Sequence, residues 1–417
     1  MRTNFYNRRE SLVGIVIVLV IVGLIGGGLY YYLSKQIPEM VEIIKKPAEE
    51  IISPAKEVTP QKEKLDMLIF LSPQYANDIQ IKQAINEYIK AVEDDIGWKT
   101  EIIVIKPETN NFRKINETMK DNYNKSGNNL KASIMVGEDI DTALKHDYQG
   151  SECPSTVPWF TLGKEAHTHP LGKDEYTYPS TGVQSYDSEM KIAVSLLYPS
   201  HNLDYQVKSN QIASVFKKFS TDRNHSWNKD SNVFISLSKD FTSGYAVKDF
   251  PALSVFGNLN FKIGPLRSEI QESLNKPFMA YFVFGHAAYN TVNLESSSFN
   301  SNDLDIINSP LVGIGGCFTD CWPSGIFEDN NILDYSNNKP YGAEAETVHW
   351  FTEGIFSSPR LRALIVGAPR QPGNSFMSEA LPGLLQGKTI AEAMINHTYS
   401  IGDSQTLWGD PTFHYNF

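Results

Sequence analysis

The segment Leu65-Asp-Met-Leu-Ile-Phe-Leu-Ser72 is a short apolar run typical of a buried strand, and the segments after it decide the fold. Apolar residues recur at helical spacing from Ile79 to Trp98, and a second strand candidate begins at Glu101. A helix candidate over 112–123 and a strand candidate over 130–137 follow. This alternation predicts a parallel sheet with helices on its faces.

A second alternating series occupies the rest of the chain. A strand over 189–198 and a helix over 205–219 close the first series. Later elements are expected as strands over 231–238, 278–285, 310–316 and 361–367, and as helices over 265–274, 374–385 and 388–400. We therefore predict an α/β fold of two consecutive units with mainly parallel sheets, the first over 65–230 and the second over 231–417.

A transmembrane helix is predicted near the N-terminus. Residues 11–34 carry no charge and would span about 36 Å as a helix, enough for the ~30 Å hydrocarbon core of a bilayer. Tyr30, Tyr31 and Tyr32 near the end of this run are typical of an interfacial aromatic belt. A cleaved signal peptide is the alternative, although its apolar region is usually shorter.

The predicted span lies between a short tail, residues 1–10, and a tether, residues 35–64, rich in Pro, Lys and Glu. Basic residues on its two sides tie in number, but Arg8 and Arg9 lie close to the apolar run. Their position favours an N-terminus inside the cell. The body, residues 65–417, is then expected on the extracytoplasmic side of the membrane.

The charge and cysteine content of the chain indicate which kinds of partner and chemistry to expect. The formal net charge is -11, and no basic block alternates with aromatic residues in the body, so no nucleic-acid partner is expected. Three cysteines are too few for a disulfide scaffold. Because the number is odd, at least one thiol stays free unless it pairs between chains, and a retained thiol invites a functional explanation.

Two strand candidates each end in glycine and are followed by a reactive side chain. His286 follows the run that ends in Gly285, and Cys317 follows the run that ends in Gly316. Functional groups of open α/β sheets collect beyond the carboxyl ends of strands. An imidazole can take the proton of a nearby thiol, so we predict Cys317 as a nucleophile and His286 as its general base. The alternatives are a structural histidine and a thiol that is buried or bridged to Cys321.

These two blocks resemble the caspase-like clan of cysteine peptidases, and the order of motifs over 65–417 is similar to that of the gingipain family. The matching motifs are Val136-Gly137-Glu138-Asp139, Phe284-Gly285-His286, Gly315-Gly316-Cys317, Gly367-Ala368-Pro369-Arg370 and Trp408-Gly409-Asp410-Pro411-Thr412. The resemblance implies a caspase-like α/β fold and a cysteine-type endopeptidase with His286 and Cys317 as its catalytic pair. It also implies protein or peptide substrates.

Supporting groups are predicted around this pair. The backbone amides of Cys317 and Ala287 are candidate donors to the oxyanion of a tetrahedral intermediate. Ala287 departs from the family, which usually has glycine there, and its amide can serve only if the backbone avoids a glycine-only conformation. Glu138 and Asp139, which end a strand of the first unit, are candidates for an acid that orients the imidazole, or are otherwise helix-cap or loop residues.

The predicted chemistry requires no cofactor, and no metal site is predicted. Cys153, His167 and His169 match no standard zinc spacing. The resemblance allows Ca²⁺ as a structural ion, for which the acidic, Asn-rich segment 328–338 offers oxygen ligands without EF-hand spacing. Asp410 is expected to support a turn near the C-terminus.

Two other functions stay open at this point. A catalytically inactive caspase-like domain, serving as a surface binding or scaffold module, would fit Ala287 and a bridge between Cys317 and Cys321. A sortase-like transpeptidase would form the same acyl-enzyme and resolve it with an amine instead of water. An activity-directed thiol probe separates the inactive module from both enzymes, and product analysis with an added amine separates the two enzymes.

Overall fold

The apolar runs of the body form strands and the amphipathic segments form helices in the computed structural model of the chain. The structure describes residues 64–146, 152–155, 162, 187–200, 203–221, 223, 233–241, 259–288, 290–316, 333–334, 339–340, 351–367, 382–395, 398–400 and 405–416. The predicted tail, membrane span and nearly all of the tether lie outside these residues. In the part of the chain that is described, no helix is long and apolar enough to cross a membrane.

The regular elements have the following bounds. The helices are α1 Ile79–Ile96, α2 Phe112–Lys125, α3 Tyr205–Ser220, α4 Arg267–Leu274, α5 Gly354–Ser357 and α6 Ile390–Met394. The strands are β1 Met67–Leu71, β2 Thr100–Val104, β3 Ala132–Val136, β4 Ala143–His146, β5 Glu152–Ser155, β6 Asp187–Glu189, β7 Ala193–Leu197, β8 Val233–Leu237, β9 Leu259–Ile263, β10 Ala280–Phe284, β11 His286–Ala288, β12 Thr291–Asn293, β13 Ser298–Asn300, β14 Leu311–Gly315, β15 Leu333–Asp334, β16 Lys339–Pro340, β17 Ala363–Gly367, β18 Thr398–Ser400 and β19 Gln405–Gly409.

Ten of the described strands form one sheet in the order β2-β1-β3-β7-β19-β17-β14-β10-β8-β9. Neighbouring strands are parallel except β17 and β19, which are antiparallel. This reversal divides the sheet into a first half, β2-β1-β3-β7-β19, and a second half, β17-β14-β10-β8-β9. Because the two halves run in opposite directions, the carboxyl ends of their strands lie at opposite edges of the sheet.

The mainly parallel α/β sheet agrees with the prediction, but the two predicted units share one sheet within a compact unit, Lys62–Phe417. β19 comes from the predicted second unit, yet it lies in the first half, with Leu407 opposite Ser195 of β7. The predicted helix over 388–400 is too long. α6 ends at Met394, and the β-branched and aromatic residues after it form β18, which pairs with β6.

Local signals set the ends of α1. The side chain of Asp78 caps the helix by accepting a hydrogen bond from the backbone N–H of Ile81 at 3.0 Å. Gly97 ends it at φ +69°, a conformation that glycine adopts without strain. The buried face of α1 packs against α3, where the rings of Tyr88 and Phe216 lie 5.3 Å apart. The helix pair thus covers the sheet with aromatic side chains that face away from water.

A buried charge network connects α1 to the C-terminal turn. Asp410, 1% exposed, accepts hydrogen bonds from the Tyr88 hydroxyl at 2.6 Å and the Thr412 backbone N–H at 2.9 Å. The Arg223 guanidinium bridges it to Asp95, at 3.1 and 2.9 Å respectively. The bond to Thr412 confirms that Asp410 supports a turn, and the other contacts give it a second role as an anchor for α1.

Candidate active site

The strands that lead to His286 and Cys317 are neighbours. β10 and β14 pair in parallel, with Phe284 opposite Gly315, and the Gly285 N–H donates to the Gly315 carbonyl at 3.1 Å. Their carboxyl ends therefore meet at the same edge of the second half. The adjacency required by the predicted pair is present, although Cys317 itself lies outside the described residues.

Two glycines allow the chain to come close at this edge. A Cβ added to Gly316 would collide with the Cβ of Ala287 and would lie 2.7 Å from the Gly285 carbonyl oxygen. A Cβ added to Gly285 would collide with the carbonyl oxygen of Asn293. The residue immediately before Cys317 is thus packed directly against the residues on both sides of His286.

His286 begins β11, the first strand of a small antiparallel sheet, β11-β12-β13, in which it lies opposite Asn293. Its side chain is 65% exposed, so a ligand from solvent can reach the ring. One carboxylate oxygen of Asp240 lies 3.5 Å from Nε2 of His286. This distance suits an ion pair when the imidazole is protonated.

Asp240 is the acid that the sequence interpretation missed. It lies in a 3-10 turn, Lys239–Phe241, directly after β8, and β8 is the neighbour of β10 in the sheet. The Ser238 N–H continues the ladder by donating to the Phe284 carbonyl at 2.9 Å. The rule that singled out His286, a functional group beyond the carboxyl end of a strand, applies equally to Asp240.

The prediction that Glu138 or Asp139 orients His286 is wrong. Both follow β3, which belongs to the first half, so they lie at the opposite edge of the sheet. Five strand positions separate β3 from β10, and neighbouring strands lie about 4.8 Å apart. No side chain spans that distance.

Both acids bind other partners. Glu138, 3% exposed, accepts hydrogen bonds from the Tyr75 hydroxyl at 2.9 Å and the Lys208 ammonium at 2.8 Å. Burial and then the charge of Glu138 raise the pKa of Tyr75, which therefore stays a neutral donor. The Asp139 carboxylate accepts a hydrogen bond from the Ser72 hydroxyl, and burial raises the pKa of Asp139. These contacts join α3 to the ends of β1 and β3.

Ala287, the candidate oxyanion donor, has an extended backbone as the middle residue of β11. In the part of the chain that is described, the positive-φ residues other than glycine are Asn128, Leu162 and Glu295. The alanine at position 287 therefore avoids the left-handed region, where a Cβ would cause strain. An alanine in place of glycine does not strain the backbone at this position.

Solved structures with a similar fold include a cysteine proteinase. The crystal structure of the Arg-specific cysteine proteinase gingipain R matches with a TM-score of 0.55 and 15% identity, over 87% of this chain and 80% of that one. A complex of the pro- and mature domains of RgpB from Porphyromonas gingivalis matches with a TM-score of 0.52 and 15% identity, over 84% and 79%. The chain has the fold of gingipain R.

A third solved structure, described only as a protease, matches with a TM-score of 0.53 and 9% identity, over 84% of this chain and 78% of that one. No protein-family model and no curated protein matches the chain. The shared fold agrees with the predicted α/β architecture, and identities this low show the fold alone.

Several predicted groups fall where the structure gives no side chain. Cys321, His167, His169 and most of 328–338 lie outside the described residues, and Cys153 is described only as part of the backbone of β5. Among the side chains that are described, no group of three or more His, Cys, Asp or Glu is arranged to hold a metal ion. Calcium in the segment 328–338 stays a prediction.

Proposed function

We propose that the chain is a cysteine-type endopeptidase in which Cys317 attacks the peptide carbonyl and His286 is its general base. The supporting observation is the register of β10 and β14, in which Phe284 lies opposite Gly315. His286 and Cys317 each follow that pair by two residues, and adjacent strands lie about 4.8 Å apart. A thiol that leaves β14 there would be within reach of the imidazole.

The proposed reaction follows from these positions. The thiolate sulfur bonds to the carbonyl carbon, and the amides of Cys317 and Ala287 donate to the oxyanion. The imidazolium returns its proton to the amine as the peptide bond breaks, and water then hydrolyses the thioester. Asp240 stabilises the imidazolium and orients the ring; because Nε2 faces Asp240, the thiol proton passes to Nδ1.

The proposal includes membership of the gingipain family and protein or peptide substrates. It also includes anchoring by residues 11–34, with the body on the extracytoplasmic side, because an uncharged run of that length fits a bilayer. The proposal further includes a structural calcium ion in the segment 328–338, and the labelling experiment is therefore carried out with and without calcium.

Labelling of the full chain in detergent with a library of peptidyl acyloxymethyl ketones tests the proposal. The chain is assayed with and without reductant and calcium, beside Cys317→Ala, His286→Ala and the control Cys321→Ala. We expect labelling that is lost in the first two variants and kept in the control. The preferred probe would report the residue that the primary specificity pocket accepts.

Other outcomes select the other functions. A folded, reduced chain with calcium that no probe labels would exclude the peptidase and favour the scaffold module. A labelled chain whose acyl-enzyme yields mainly an amide product with an added amine would indicate a transpeptidase. Labelling that appears only with reductant and is independent of reductant in Cys321→Ala would reveal a bridge between Cys317 and Cys321.

A further inference from the structure

The turn between β12 and β13 contains a strained acidic residue. Glu295 has φ +69°, in the left-handed region, which residues with a side chain seldom occupy. The side chain of Asn293 holds this conformation by accepting the Glu295 backbone N–H at 2.7 Å. Glycine would fit this backbone without strain, so the glutamate side chain is retained at a cost to stability.

The carboxylate of Glu295 binds the turn that carries Asp240. One oxygen, Oε1, accepts hydrogen bonds from the Ser238 hydroxyl and from the Asp240 backbone N–H, both at 3.0 Å. The other, Oε2, lies 3.7 Å from the Lys239 ammonium. All three residues that follow β8 are therefore connected to one side chain, of which 29% is exposed.

The same hairpin holds the backbone of His286. Asn293 lies opposite His286 in the β11–β12 pairing, and Glu295 follows Asn293 by two residues. Two contacts anchor the turn: Leu294 is fully buried, and the Ser297 hydroxyl donates to the Pro265 carbonyl at 2.5 Å. One short segment thus fixes both the histidine and the acid beside it.

We propose that Glu295 is a positioning residue of the catalytic site: it fixes the turn that carries Asp240, and so holds the Asp240 carboxylate against His286. Asp240 needs such support because its side chain is 69% exposed and its carboxylate lies 3.5 Å from Nε2. An exposed carboxylate on a free turn would lose this alignment to side-chain entropy and solvent. The proposal rests on the proposed function, in which His286 is the base.

Kinetics of the full chain test the proposal with three single variants and one double variant. Glu295→Ala removes both hydrogen bonds and should lower kcat about tenfold to hundredfold, as expected for a misplaced catalytic group, with KM changed less than about twofold. Glu295→Gln keeps an acceptor oxygen and should recover most of that loss. Asp240→Asn should match Glu295→Ala, and the double variant of the two should lose no more than Asp240→Asn alone.

Two further comparisons exclude a merely structural role. Glu295→Gly relieves the strained φ, so it should unfold at a higher temperature than Glu295→Ala and still lose as much kcat. Glu272→Ala is the matched control, because it removes one exposed carboxylate of α4, which pairs with Lys276 beyond the end of that helix. Independent losses in the double variant, or a kcat that follows thermal stability across the series, would overturn the proposal.

A spectroscopic measurement stays decisive if the chain hydrolyses nothing. The ring ¹⁵N resonances of His286, assigned by comparison with His286→Ala, report the Asp240 contact without any substrate. We expect Glu295→Ala and Asp240→Asn to move the Nε2 resonance alike, and Glu295→Gln to leave it near its wild-type position. A wild-type resonance in Glu295→Ala beside a shifted one in Asp240→Asn would refute the positioning role and leave the peptidase proposal intact.

Discussion

Replacing Asp410 by alanine should strongly destabilise the fold because its carboxylate is the centre of a buried network. It accepts hydrogen bonds from the hydroxyls of Tyr88 and Thr412, each at 2.6 Å, and from the Thr412 backbone N–H at 2.9 Å. Arg223 donates to its other oxygen at 3.1 Å. These contacts connect α1, the segment that follows α3 and the turn that follows β19.

The magnitude follows from what the substitution leaves behind. Removing one partner of a buried ion pair costs about 3–5 kcal/mol. Burial alone would lower the pKa of Arg223, but Asp410, Tyr88 and Asp95 raise it, so the guanidinium stays charged. Asp95 still binds it at 2.9 Å, which favours the lower end of that range. The Tyr88 hydroxyl loses one partner but keeps the Thr412 hydroxyl at 3.1 Å, so it adds about 1 kcal/mol, and we expect a total loss of about 4 kcal/mol.

Urea unfolding of the full chain, followed by intrinsic fluorescence, measures this loss. Asp410→Asn keeps an oxygen for the Tyr88 and Thr412 donors and should cost less than Asp410→Ala. Lys276→Ala is the surface control, because the side chains of Lys276 and its partner Glu272 are 54% and 71% exposed, so their ion pair should contribute little to stability. A loss in Asp410→Ala no larger than that of the control would refute the assignment of Asp410 as an anchor.

Three further predictions test other parts of the molecule. Burial lowers the pKa of Lys218 to about 7 from its ordinary 10.5, so between these values the unfolded chain binds a proton that the folded chain has released. Stability should rise with pH over that window in urea unfolding, and Lys218→Met should abolish the rise. Gly316→Ala should lower the free energy of unfolding by about 1–3 kcal/mol and should abolish most probe labelling. Adding Ala287→Gly should partly restore both. Glu138→Gln should lower stability but leave labelling of Cys317 unchanged, because it lies at the opposite edge.

The alternation of strands and helices could be predicted because each element carries its own signals. β1, β3 and β10 are buried along their whole length, so their sequences are continuous apolar runs. β9, with sequence LNFKI, was missed because it is an edge strand that is largely exposed and lacks such a run. The apolar run, more than burial itself, made a strand visible in the sequence, because β2, with sequence TEIIV, is the other edge strand and was predicted although none of its residues is buried.

The reversal of direction within the sheet could not be predicted. Pairing of β19 with β17 and β7 joins residues distant in the chain, and nothing local in Gln405–Gly409 specifies an antiparallel neighbour on one side and a parallel one on the other. The error about Glu138 followed from this reversal and from the strand order, which places β3 five positions from β10. In a sheet of one direction, acids at the ends of β3 and β8 would have shared an edge.

Residues of the candidate site could be predicted from the sequence where a local pattern fixes their position. His286 and Asp240 both follow buried parallel strands, so one rule could have found both. Glu295 follows no such rule, because its contact with the turn after β8 depends on a left-handed backbone and on Asn293. Supporting residues of this kind become visible only when the hairpin geometry is known.

Functional groups of α/β sheets collect beyond the carboxyl ends of strands, and in this sheet those ends lie at both edges. The exposure of the side chains at each edge decides which edge is the candidate site. At the carboxyl edge of the first half, Glu138 is 3% exposed and bound by Lys208, so that group serves packing and is closed to ligands. At the carboxyl edge of the second half, His286 and Asp240 are 65% and 69% exposed. A pair of exposed titratable groups held by a strained hairpin contributes little to stability, so stability alone does not explain this arrangement. The second edge is therefore where chemistry should be sought.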